Sequence, residues 1–211
     1  MADLLWAWAW GGLEVRRAHD GSTRLSGSFP YGSPAVLSDG GRTGRPRKEV
    51  FAPQAFAFRV NDPSKEIHLL LGHDFGQPLA SKLTGTLQLK DTKAALQLEA
   101  TISPAIADTS FGRDALAMIG AGLAFGISPG FRMPPERAVP RAEAETITEE
   151  PIEPEKGMHG AIIRTVHEAL LYELSVVTRP AYKDSQIEAR NWSPGATLIS
   201  AAPAHLKRWR L

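Results

Sequence analysis

The 211-residue sequence contains no cysteine, which excludes a disulfide framework, a thiol nucleophile and a thiolate metal site, and which fits an intracellular protein. It has no excess of either charge sign. Twenty-four Lys and Arg against 23 Asp and Glu give a net charge of +1, so no global field recommends nucleic acid or a membrane surface, and neither is expected as a partner. Long apolar runs are also missing. Met1 to Trp10 is apolar but carries Asp3 where a signal peptide wants a basic residue, and it stops at Gly11, far short of the roughly 20 residues a spanning helix needs. No targeting segment is expected. HExxH spacing, a calcium-loop acidic cluster, a GxxxxGK[ST] loop and a GxGxxG turn after a strand are all absent, so neither a metal nor a cofactor is expected.

What is present suffices for one domain of ordinary size with ragged ends. We expect an N-terminal extension over 1–21, a domain over 22–190 and a C-terminal tail over 191–211. Trp6, Trp8 and Trp10 alternate and line one face of a strand, either packed or offered to a partner. Thr23 to Phe29 reads as a strand, 31–48 as a Gly/Pro-rich loop, and Glu49 to Phe56 as an apolar segment broken by Pro53. Glu66 to Gly72 is a continuous apolar run of buried-strand type. Gly85 to Lys90 and Ala94 to Ile102 alternate apolar with polar around Asp91 to Lys93, which predicts an antiparallel hairpin and hence a mixed or antiparallel sheet. Asp108, Thr109 and Ser110 offer caps to a helix over Phe111 to Ala121, with apolar stripe Phe111, Ala115, Met118 and Ile119 and a stop at Gly120 and Gly122. Residues 132–160, rich in Pro and Glu, read as a mobile acidic loop. Ala161 to Thr178 reads as one long strand. A short helix around Asp184 to Arg190 and a tail from Pro194, ending in the basic, aromatic Lys207 to Leu211, complete the chain.

Chemistry concentrates at few positions. Gly122 to Phe131 leaves the predicted helix as a Gly-rich strand carrying Ser128 between Gly126 and Gly130, which lets another group approach the backbone closely. Gly126-Ile-Ser128-Pro-Gly130 has the spelling of the hydrolase elbow, but that turn precedes its helix whereas this serine follows one. His73, after Gly72 at the end of a buried run, is the leading histidine. His68 has no evident polar context, His19 and His205 lie near the termini, and His159 closes the acidic stretch. In the long strand a period of two puts Glu168 on the apolar face of Ile162, Val166, Leu170 and Leu174, where a carboxylate either finds a partner or turns to water at an edge or bulge. The opposite face, with Thr165, His167, Glu173 and Ser175, reads as solvent-tolerant.

The ordered set Glu49 to Phe56, Gly72-His73-Asp74, Gly122 to Phe131 and Leu171 to Tyr182 resembles the HK97-type prohead (capsid maturation) proteases of tailed bacteriophages, over about Leu25 to Arg190. The resemblance implies an α+β fold, a mainly antiparallel β-barrel with flanking helices like the herpesvirus assembly proteases. It implies a serine endopeptidase that cleaves the scaffold segment from the major capsid protein precursor, and itself, in the host cytoplasm inside the immature prohead. It leaves a homo-oligomer open and requires no cofactor. Carried over, Ser128 is the nucleophile, His73 the general base and Glu168 the third member, with His167 as the alternative because the herpesvirus enzymes use a second histidine. By the same analogy the turn Thr178-Arg179 supplies oxyanion donors. Two features depart from the family: a longer acidic loop, and Pro129 after the serine, which removes one backbone N–H from any oxyanion hole. The alternative is therefore a catalytically inactive capsid-assembly or scaffold protein on the same fold.

Overall fold

The computed structural model describes residues 7–9, 13–41, 44–124 and 126–178. In chain order the first strands are β1 (Ala7–Ala9), β2 (Leu13–Arg17), β3 (Thr23–Pro30), β4 (Ala35–Ser38) and β5 (Arg47–Phe51), followed by helix α1 (Ala57–Asn61). Then come β6 (His68–Leu71), β7 (Asp74–Ser81), β8 (Leu87–Asp91), β9 (Ala95–Ile102), α2 (Pro104–Ala107), α3 (Ser110–Gly120) and β10 (Gly126–Arg132). The last part holds α4 (Arg141–Ala144), β11 (Glu145–Glu149), β12 (Ile152–Glu153), β13 (Met158–His159), β14 (Ile162–Val166) and β15 (Leu170–Val177). They assemble into a five-stranded antiparallel sheet, β1-β2-β3-β9-β8, and two four-stranded mixed sheets, β10-β15-β6-β7 and β11-β14-β5-β4, with β12 and β13 as a small ribbon. The α+β class agrees with expectation. The expected barrel does not: among the described residues no sheet closes on itself, and β10 and β7 remain the edges of the sheet that matters most below.

Local sequence explains the elements that were foreseen. The strict alternation of Leu96, Leu98, Ala100 and Ile102 buries one face of β9, and their partners across β3 and β8 include Leu25, Phe29, Leu87 and Leu89. The α3 helix starts at the Thr109 side chain, which accepts the Gly112 N–H at 3.0 Å, and it buries Ala115 and Ile119 while Phe111 and Met118 pack partly on the core. The three large sheets meet at a phenylalanine cluster. Phe51 of β5 lies 5.5 Å from Phe29 of β3, 4.8 Å from Phe56 and 4.9 Å from Phe131 of β10, mostly edge-on. Each fully buried ring contributes about 1.5–3 kcal/mol by leaving water. This cluster holds the serine strand against the rest of the core.

Four readings are corrected. The stretch 31–48 is not only loop, since it holds β4 and the start of β5. The acidic stretch 132–160 is folded, because basic residues from distant strands hold its carboxylates: Glu150 binds Lys48 at 2.5 Å and accepts the N–H groups of His159 and Ala161, while Glu145 binds Arg141 and Arg164, and Arg164 reaches Glu49 at 3.0 Å. The single long strand over 161–178 is broken at 167–169, where the N–H groups of both His167 and Glu168 donate to the carbonyl of Ala144. β2 pairs with β3, so part of the stretch assigned to the N-terminal extension belongs to the first sheet. Trp6, Trp10, the helix around Asp184 to Arg190 and the tail lie outside the described residues.

Candidate active site

β15 is the middle of the site. It runs antiparallel to β10 on one side and parallel to β6 on the other, with Ser128 opposite Ser175, Gly130 opposite Glu173, and Ser175 opposite Leu70. Residues opposite one another in a ladder project from the same face, so Ser128, Ser175 and Glu173 share one side of the sheet. Glu173 and Ser175 sit among Leu171, Leu174 and Val176 and are nearly inaccessible, at 3% and 0% exposure. Buried polar side chains of this kind must be hydrogen-bonded to one another or to the backbone, and they are.

His73 reaches this face through a two-residue hairpin turn. Leu71 pairs with Asp74, and the residues between them, Gly72 and His73, have φ of +62° and +64°. Positive φ at both central positions is what a type I′ turn requires, and it suits the strand twist. Glycine adopts it freely, but a histidine there is held in a sparsely populated conformation costing on the order of 1–3 kcal/mol. Two contacts hold it. The His73 backbone N–H donates to Ser175 Oγ at 2.9 Å, and His73 Nδ1 meets Glu173 Oε1 at 2.7 Å. Ser175 Oγ in turn donates to Glu173 Oε2 at 2.6 Å. The carboxylate fixes the imidazole with its proton on Nδ1, which leaves Nε2 as a lone-pair acceptor.

Two serines therefore lie side by side with different availability. Ser175 is fully buried and both bonds of its hydroxyl are committed. Ser128 is half-buried, and its hydroxyl makes no hydrogen bond among the described residues. Ser128 is the one free to react. Pro129 occupies an edge strand, where the missing N–H is tolerated. A cavity of about 360 Å³ opens beside the histidine, lined by Leu71, His73, Met118, Ala124, Val176 and Thr178 among others. Arg179 lies outside the described residues.

The structure does not bring Glu168 or His167 to this site. Glu168 is exposed in the bend between β14 and β15, and His167 Nε2 pairs with Thr146 Oγ1 at 3.0 Å. The parity count that favoured Glu168 runs through the break at 167–169, and β15 starts afresh at Leu170. Glu173 and Ser175, read as solvent-tolerant, are instead the buried polar pair. The signal that points to them is the spacing Glu173-Leu-Ser175 inside an otherwise apolar strand, two polar groups on one face with no water to satisfy them. His68 stands opposite Glu173 in the parallel ladder, its Nδ1 without a partner among the described residues and its ring edge-on to Phe75. His159 lies in the β13 ribbon and His19 is exposed. Among the described residues no cluster of His, Asp and Glu has the makings of a metal site.

Gly130 explains the second glycine of the serine motif. A Cβ built there would lie 1.8 Å from Glu173 Oε1, so the carboxylate that holds His73 passes directly over the glycine backbone. Gly130→Ala is expected to displace Glu173 from His73 and lower any activity of the site by about 100-fold, the loss a misplacement near 1 Å brings, while the purified variant keeps a cooperative melting transition. Wild-type turnover in Gly130→Ala would show that the close approach is incidental.

A family model described as caudovirus prohead serine protease matches residues 38–197. No curated protein and no solved structure matches the chain.

Proposed function

Because the chain belongs to the caudovirus prohead serine protease family, we propose that it removes the scaffold segment from the major capsid protein precursor, and cuts itself, inside the immature head in the host cytoplasm. Membership makes it a serine-type endopeptidase of phage capsid maturation. In our reading of the site Ser128 is the nucleophile, His73 the general base, and Glu173, in place of Glu168, the carboxylate that orients the base. The observation that carries this assignment is the 2.7 Å contact of His73 Nδ1 with a buried Glu173, on the same sheet face as an unengaged Ser128.

The chemistry follows from the positions. His73 Nε2 takes the proton of Ser128 as Oγ attacks the peptide carbonyl, and the imidazolium, stabilised by Glu173, returns that proton to the leaving amine. Water then repeats the sequence on the acyl-enzyme. Pro129 offers no N–H, so we assign the oxyanion donors to the residues after β15, Thr178 and Arg179, the first of which lines the cavity beside His73. A likeness of fold to the herpesvirus assembly proteases belongs to the same proposal.

Co-expression with the capsid protein precursor tests the reading. Wild type is expected to trim the precursor and to be labelled by a serine-reactive phosphonate probe, and His73→Ala is expected to do neither. Binding of an intact precursor with no labelling of wild type would instead give the inactive assembly protein.

A further inference from the structure

We propose that Ser175 is a positioning residue of this protease, a single buried hydroxyl that ties the general base to its carboxylate; the proposal rests on the assignment of Ser128, His73 and Glu173 above. Its Oγ does two things at once. It accepts the backbone N–H of His73 at 2.9 Å and donates to Glu173 Oε2 at 2.6 Å, while the other carboxylate oxygen holds the imidazole. Backbone of the base, ring of the base, carboxylate and hydroxyl thus form a closed loop of three hydrogen bonds.

The loop has a task at the base, whose ring is little held by packing. His73 sits in a turn with φ of +64°, and its side chain is 46% exposed, so packing does little to fix its ring. The carboxylate lies above Gly130, whose missing side chain leaves it room to turn. Ser175, at the middle strand and 0% exposed, is the rigid point between them. Without its hydroxyl the hairpin turn keeps the Gly72 N–H bond to the Val176 carbonyl at 3.0 Å but His73 itself loses its backbone tie to β15, and Glu173 loses the donor that sets which way its two oxygens face. The Ser128 hydroxyl stands opposite Ser175 in the ladder but makes no side-chain hydrogen bond to it. Ser175 therefore acts through His73 and Glu173 and not on substrate.

The test is Ser175→Ala in the full-length protein, assayed on a peptide spanning the precursor cleavage site with rates normalised to titrated active sites. We expect kcat to fall about 10- to 100-fold, the scale of a misplaced catalytic group, with KM unchanged. The low-field proton resonance of the His73 imidazole, the signature of Nδ1–H held by a carboxylate, is expected in wild type and lost or broadened in the variant. Should alanine prevent folding, Ser175→Cys, near in size but a weak donor, is expected to show the same loss. A wild-type kcat with an unchanged imidazole resonance would overturn the positioning role, as would a change confined to KM. If Ser128→Ala retained activity, the reading of the site itself would fall, which is a different result from an unaffected Ser175 variant.

Discussion

Replacing Ser128 by alanine is expected to stop cleavage of the capsid precursor, lowering turnover by about five to six powers of ten, as loss of a nucleophile does in a serine protease. The precursor should still bind and should accumulate at full length on co-expression. The hydroxyl is half-buried and unengaged, so stability should move by less than about 0.5 kcal/mol, the range of substitutions away from special features. The neighbouring serine cannot take over. Ser175 is fully buried, its proton is given to Glu173 and its lone pair receives the His73 amide, so a substrate carbonyl has no access to it. The two serines therefore separate by phenotype. Ser128→Ala is expected to be stable and inert, whereas removing the Ser175 hydroxyl leaves a buried carboxylate oxygen unpaired at about 1–3 kcal/mol. Trimming that survives in Ser128→Ala would remove Ser128 from the mechanism.

The features legible in the sequence are those written locally. The alternation of β9, the turn at Asp91 to Lys93 and the Thr109 cap each depend on residues within a few positions, and β8, β9 and α3 stand where those signals put them. Glycines around Ser128 and a buried run ending at His73 likewise draw attention to two groups, of which Ser128 lies on β10 and His73 in the turn after β6, the two strands that flank β15. Information carried over long separations was not legible. A barrel cannot be told from three abutting sheets without the strand order. The acidic stretch looks unstructured in sequence because Lys48, the partner of its Glu150, lies about a hundred residues earlier. Glu168 was favoured by a count of two that is valid only within one unbroken strand, and the break is made by a carbonyl of Ala144 that no local pattern announces. Glu173 lay in plain view, but its face looked solvent-tolerant because polar residues gather there; in a middle strand the same pattern means a satisfied polar cluster.

Glu173→Gln is expected to lower kcat by about four powers of ten with little change in KM, whereas Glu168→Gln and His167→Ala should stay near wild type. The size of the effect follows from counting donors and acceptors. Both carboxylate oxygens accept a proton donor, Oε1 from His73 Nδ1 and Oε2 from the Ser175 hydroxyl. A glutamine of the same shape keeps one acceptor and puts an NH₂ in place of the other. With its oxygen toward Ser175, the NH₂ faces His73 and forces Nδ1 to accept, which moves the imidazole proton to Nε2, where it blocks uptake of the Ser128 proton. With its oxygen toward His73, the NH₂ opposes the Ser175 hydroxyl, which already accepts the His73 amide and now has nowhere to send its own proton. The first orientation keeps the loop but with the wrong tautomer, the second breaks it, and neither supplies a negative charge for the imidazolium that forms when Ser128 attacks. Glu168 has no such role to lose, since it is exposed to water in the bend, and His167 is occupied by Thr146. Kinetics of the three variants on one cleavage-site peptide decide the matter: an unimpaired Glu173→Gln beside an inert Glu168→Gln would return the third role to Glu168 and reduce the buried contact with His73 to a structural one.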